Sequence, residues 1–95
     1  MLSYIFAIVL SITAQHGERI YQLNCTSCHA TDPNDEGSVG PPIANSSNDL
    51  VIAKVAFGGY PLGYHPKRTT HIMPIFNMNK NDALAVAKYL QEVAQ

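Results

Sequence analysis

Cys25-Thr26-Ser27-Cys28-His29 is the most informative segment of this chain for its fold. Two thiols stand three residues apart, and a histidine directly follows the second. In a turn, two such sulfurs can reach one edge of a flat group while the imidazole approaches that group from one face. The chain has two cysteines in total, so they cannot form a disulfide framework that would hold a small fold together.

The pattern Cys-x-x-Cys-His is typical of the attachment site of a c-type haem. A thioredoxin-like redox pair would need a βαβ context, and the sequence shows no strand alternation. A structural zinc site needs four ligands, and the other histidines have no partner at ligand spacing. We therefore expect one covalent haem c at Cys25, Cys28 and His29, with zinc binding and dithiol chemistry as the alternatives.

Length and charge limit the remaining possibilities. A chain of 95 residues supports one domain with a modest core, which a cofactor would complete. Six Lys and Arg residues against seven Asp and Glu residues give a net charge of −1. No basic stripe is present that would follow a phosphate backbone, so nucleic acid is not an expected partner.

The N-terminus carries an apolar run from Leu2 to Ile12. This run is about half of the ~20 residues that a membrane-spanning helix needs, and its length is typical of a signal peptide. We predict a signal peptide over 1–14, cleaved after Ala14, and a single domain over 15–95. A buried N-terminal helix and an uncleaved anchor are the alternatives. The expected location is periplasmic, or tethered to the outer face of the inner membrane if the segment is retained.

Three helices are predicted, over His16–Asn24, over Asn48–Phe57, and from Asn79 to the C-terminus. Ser46 and Ser47 can cap the second helix, and Gly58 and Gly59 end it. Asn79 caps the last one, whose apolar residues follow helical spacing: Ala83, Val86, Ala87, Leu90, Val93 and Ala94. The segments 31–45 and 60–79 are predicted as loops. The fold class is therefore all-α, with three to four short helices wrapped around the haem.

A second axial ligand is expected from the long loop 60–79. The candidates are Met73, Met78, His65 and His71. Pro74 follows Met73 and disfavours helical backbone there, which suits a loop that presents a side chain to a flat ring. We therefore predict Met73 as the ligand, with His71 and Met78 as the main alternatives.

After Gln15 the sequence resembles the class I cytochrome c family. The resemblance is carried by four segments: Gly17-Glu-Arg-Ile-Tyr21, Gly40-Pro41-Pro42-Ile43, His71-Ile-Met73-Pro74-Ile-Phe76 and Tyr89-Leu90. It implies that Val86 and Tyr89 of the last helix pack against Gly17 and Tyr21 of the first.

The same resemblance implies roles for residues around the haem. The Pro41 carbonyl would accept the Nδ1 proton of His29, Ile43 would press on the haem, and His29 and Met73 would be the metal ligands. Larger family members carry a tryptophan that bonds a haem propionate, and this chain has no tryptophan. Four residues are available in its place: Tyr60, Tyr64, Lys67 and Arg68.

The expected function is single-electron transfer without catalysis, because His/Met ligation leaves the iron no open position. Methionine ligation also raises the reduction potential. The partner would be a redox protein met by diffusion, or the other subunits of a larger dehydrogenase or oxidase complex in which the chain is fixed. The second is favoured because no lysine ring is present for steering, and because Ala53–Gly59 resembles haem subunits of dehydrogenases. A peroxidase or ligand sensor, in which Met73 would dissociate, is a third hypothesis.

Overall fold

The computed structural model describes residues 9–95, and within them the regular structure is helical. Helix α1 spans Ile12–Asn24, α2 spans Asn48–Ile52, and α3 spans Lys80–Glu92. A π-helical turn, Ala53–Phe57, continues α2. No strand occurs in 9–95, so the predicted all-α fold is confirmed. No helix in that range is long and apolar enough to cross a lipid bilayer.

Helix α1 begins four residues before its predicted start at His16. Ser11 caps it, since its hydroxyl accepts a hydrogen bond from the Ala14 amide at 3.1 Å. The Glu92 carboxylate of α3 in turn accepts bonds from the Ser11 amide and hydroxyl, at 2.9 and 2.8 Å. These bonds give the first turn of α1 partners that the apolar pattern did not reveal. Residues 1–8 of the predicted signal peptide lie outside the described residues, and cleavage after Ala14 stays a prediction.

The second predicted helix has the expected limits but two geometries. Ser47 caps α2 by accepting from the Leu50 amide at 3.1 Å. From Ala53 onward the backbone widens into the π-helical turn. Such turns are rare in proteins, and those that occur are often located at functional sites. Gly58 ends it in the left-handed conformation, with φ at 77°.

Helix α3 confirms the strongest helix prediction. The Asn79 side chain accepts from the Asp82 amide at 2.8 Å, and the Asp82 carboxylate accepts from the Asn79 side-chain amide at 3.1 Å. Asp82 therefore lies in the first turn, where the helix dipole favours a negative charge.

Helices α1 and α3 cross at Gly17, as the resemblance implied. A Cβ built on Gly17 would lie 1.8 Å from the carbonyl oxygen of Ala85, so only glycine permits the two backbones to approach this closely. One turn further along α1, the rings of Tyr21 and Tyr89 pack with their centroids 5.5 Å apart. The crossing fixes the end of α1, and with it the position of Cys25.

Gly17→Ala is expected to destabilise the protein although alanine is the better helix former. The gain in helix propensity is about 1 kcal/mol, whereas overpacking against backbone costs about 1–3 kcal/mol or more. Because the Ala85 carbonyl belongs to α3 and cannot rotate away, we expect the clash to prevail. Thermal unfolding of the purified protein measures the effect. Gly59→Ala is the matched control, since a Cβ there meets nothing within 4 Å, and an equal loss in both variants would contradict the close crossing.

Candidate haem-binding cleft

The six residues predicted to bind the cofactor line one cleft: Cys25, Cys28, His29, Pro41, Ile43 and Met73. Its volume is about 1200 Å³, counted out to the open mouth. Its walls are largely apolar and come from both long loops and from α2, the π-helical turn and α3: Val39, Leu50, Val51, Val55, Ile72, Phe76, Val86 and Leu90. A large, flat, apolar group fits such a space.

The two cysteines lie in a turn at the end of α1. Cys25 is the last residue to bond into the helix, its amide donating to the Tyr21 carbonyl at 2.9 Å. The amides of Cys28 and His29 then both donate to the Cys25 carbonyl, at 3.3 and 2.9 Å. This turn places both sulfurs and the imidazole on the cleft. Burial raises the pKa of the Cys25 thiol to about 11, which is opposite to the lowered pKa of a reactive dithiol.

His29 is held in one tautomer. Its Nδ1 lies 3.0 Å from the Pro41 carbonyl oxygen, and because a carbonyl can only accept, Nδ1 carries the proton and Nε2 keeps its lone pair. Burial lowers the pKa of His29, and the bond to Pro41 partly opposes that shift. The imidazole is therefore neutral at physiological pH, the state in which it binds a metal.

Two glycines allow the loop after the motif to fold back onto His29. A Cβ on Gly40 would lie 2.4 Å from Cε1 of the His29 ring, and a Cβ on Gly37 would lie 2.2 Å from the Cys28 carbonyl oxygen. The Gly40 amide also donates to that carbonyl at 2.9 Å. The missing side chains thus permit the backbone contact that brings Pro41 to the imidazole.

Among the four candidates for the second axial ligand, Met73 is the one that lines the cleft. It is half-buried and packs against the core. His65 and His71 are exposed and do not line the cleft. Met78 lies outside it, in a shallow depression with Ile52 and Phe57.

The cleft carries a one-sided charge. Three of the six Lys and Arg residues line it, namely Lys54, Lys67 and Arg68, and no Asp or Glu does. Tyr60 and Tyr64, which also line it, stack with centroids 5.4 Å apart and an interplanar angle of 10°. The Lys54 ammonium lies 4.1 Å over the centre of the Tyr60 ring. This wall suits the carboxylates of an otherwise apolar group.

Sequence reasoning missed two kinds of residue here. Lys54 was not predicted to line the cleft, because the sequence pattern was interpreted as a regular α-helix. Residue 54 lies in the π-helical turn, where that helical spacing does not apply. Gly40 was noted only as part of the glycine-proline segment, without its contact to the imidazole. The available signal for this contact was a glycine directly before the proline whose carbonyl was expected to bond His29.

The residues present fit a covalently bound haem c. Two sulfurs, a neutral imidazole and a thioether line one apolar cleft that also has a cationic wall. For the part of the chain that the structure describes, no cluster of three or more His, Cys, Asp or Glu side chains is arranged to hold a metal ion.

Comparison with known families agrees with this geometry. The family model described as cytochrome C oxidase, cbb3-type, subunit III matches residues 13–90. No curated protein matches the chain. Because the match extends over most of the 95 residues and the cleft brings together the expected residues, the chain belongs to this family and is a class I c-type cytochrome, a haem-based electron-transfer domain.

Proposed function

We propose that this protein transfers single electrons through one haem c, attached at Cys25 and Cys28 and ligated by His29 and Met73. The observation that carries the proposal is the position of Met73. It lines the same cleft as the three motif residues, whereas His65, His71 and Met78 do not.

Each residue of the chain has a separate task in this proposal. The sulfurs of Cys25 and Cys28 would hold the group at one edge, and the Pro41 carbonyl keeps the Nε2 lone pair of His29 available. The Met73 thioether would favour the ferrous state, and the apolar walls would cover the faces of the group. The haem, when bound, supplies the one-electron chemistry. With His29 and Met73 both as ligands, no position would remain for oxygen or peroxide, so the proposed site would transfer electrons and not activate a substrate.

The test combines stoichiometry with spectroscopy of the matured protein. An intact mass should exceed that of the mature polypeptide by one haem, and a pyridine haemochrome spectrum should show two thioether links. The oxidised protein should show the weak sulfur-to-iron charge-transfer band. A mass without haem would refute covalent attachment, and the absence of the sulfur-to-iron band would refute Met73 as the ligand.

We further propose that the chain is a fixed haem subunit of a membrane oxidase complex rather than a diffusible carrier. The printed description of the matching family names an oxidase subunit. Size-exclusion chromatography of the native protein discriminates the two roles. A lone species near 10.4 kDa would support the carrier instead.

We also propose export to the periplasm, with any leader ending before Ser11. Ser11 caps α1 and bonds Glu92 of α3, and Ala14 is fully buried. Cleavage after Ala14 would remove both contributions to the domain. N-terminal sequencing of the mature protein tests this, and a first residue after Ala14 would restore the sequence-based boundary.

A further inference from the structure

The loop that carries Met73 has little hydrogen bonding of its own. Among the described residues, one backbone-to-backbone hydrogen bond lies within 60–77, from the Tyr64 amide to the Pro61 carbonyl at 3.1 Å. The Arg68 guanidinium also donates to the Lys67 carbonyl at 3.2 Å. We call this segment, 60–77, the methionine loop. An irregular segment of this length needs other contacts to hold a side chain in a fixed position.

Among the described residues, two hydrogen bonds join the methionine loop to another part of the chain. The Lys67 ammonium donates to the Pro42 carbonyl at 2.9 Å. The Arg68 guanidinium donates to the Glu36 carboxylate at 2.8 Å. Both acceptors belong to the segment 36–43, which we call the histidine loop because its Pro41 carbonyl lies on His29.

Both ligand-bearing segments form a hydrogen bond to the Pro41-Pro42 dipeptide, at neighbouring carbonyls. The first carbonyl accepts from the His29 imidazole, and the second accepts from Lys67 of the methionine loop. Proline fixes φ near −65°, so this dipeptide has few ways to relax. The fixed φ of Pro42 limits how far the two carbonyls can move relative to each other.

We propose that Lys67, assisted by Arg68, clamps the methionine loop to the histidine loop and thereby holds Met73 in position to ligate the iron. Lys67 is a positioning residue, since it touches the histidine loop and not the ligand itself. The inference rests on the proposed function, in which Met73 is that ligand.

The clamp has a measurable consequence because it opposes dissociation of Met73. Imidazole added to the oxidised protein competes with the methionine for the iron. Because Lys67 is exposed, its bond is expected to contribute like an ordinary hydrogen bond, and removing it should raise the apparent affinity for imidazole about two- to twelvefold. The exposed Arg68–Glu36 ion pair contributes less, because such pairs are weak in water.

The experiment titrates imidazole into the oxidised holoprotein and follows the shift of the Soret band, with the sulfur-to-iron band as a second readout in the variants that keep Met73. The variants are Lys67→Met, Glu36→Gln, and Lys67→Arg as the conservative rescue. Lys80→Met is the matched control, because Lys80 is also exposed and does not line the cleft. Met73→Ala gives the affinity of an open site.

We expect Lys67→Met to bind imidazole more tightly than wild type, and Glu36→Gln to show a smaller rise in affinity. Lys67→Arg should recover the wild-type affinity, and Lys80→Met should show no rise. If wild-type protein excludes imidazole relative to Met73→Ala but Lys67→Met binds it no better than wild type, the clamp is overturned. If wild type and Met73→Ala bind imidazole equally, the proposed ligation itself fails. As a second readout that needs no imidazole, the sulfur-to-iron band should disappear at a lower temperature in Lys67→Met than in Lys80→Met.

Discussion

The variant in which both Cys25 and Cys28 are replaced by serine is expected to release all of its haem into acidic acetone. Serine resembles cysteine in shape but cannot form a thioether, so the group would be held by its ligands and by burial alone. Each single variant should keep a covalent haem on one sulfur. The measurement is the fraction of pigment left on the precipitated polypeptide.

Thr26→Ala is the control for this pair of substitutions. Thr26 lies between the cysteines in sequence, yet its hydroxyl bonds the Gln22 carbonyl at 3.0 Å and it does not line the cleft. The control should retain its haem completely. Retention of pigment by the double serine variant would refute attachment at these two sulfurs.

Met73→His is expected to lower the reduction potential. The thioether favours the ferrous state, whereas an imidazole favours the ferric state more strongly. A tenfold change in the ratio of the two states corresponds to about 59 mV for a one-electron couple, and we expect at least that shift. Spectroelectrochemical titration of the purified protein measures it.

Met78→Leu serves as the comparison for Met73→His. Met78 is also half-buried and packs against the core, but it lies outside the cleft. Its replacement should leave the potential within the error of the measurement and reduce stability modestly. An unchanged potential in Met73→His would refute Met73 as the ligand. A large shift in Met78→Leu would indicate Met78 as the ligand instead.

The elements that local patterns specify were predictable from the sequence. The Asn79 cap and the apolar spacing of α3 predicted its start, and glycine at position 17 predicted a close helix crossing. The five-residue motif predicted the cofactor and the end of α1. These features depend on residues close in sequence, or on a chemistry that few residue types can provide.

The features that were missed depend on contacts between distant segments. The start of α1 depends on Glu92 at the other end of the chain, which no local pattern reports. The π-helical turn does not change residue spacing in a way that periodicity detects, so the placement of Lys54 stayed hidden. The bonds of Lys67 and Arg68 join two loops whose relative position only the folded chain defines.

The crossing at Gly17 also has a kinetic consequence. It joins the first helix to the last, so most of the polypeptide must be brought into a loop before this contact forms. Closing this loop costs entropy, and contacts of such long sequence separation are associated with slow folding. If the pair α1–α3 forms the folding nucleus, Gly17→Ala should mainly slow refolding, whereas an increase confined to the unfolding rate would place the crossing after the transition state.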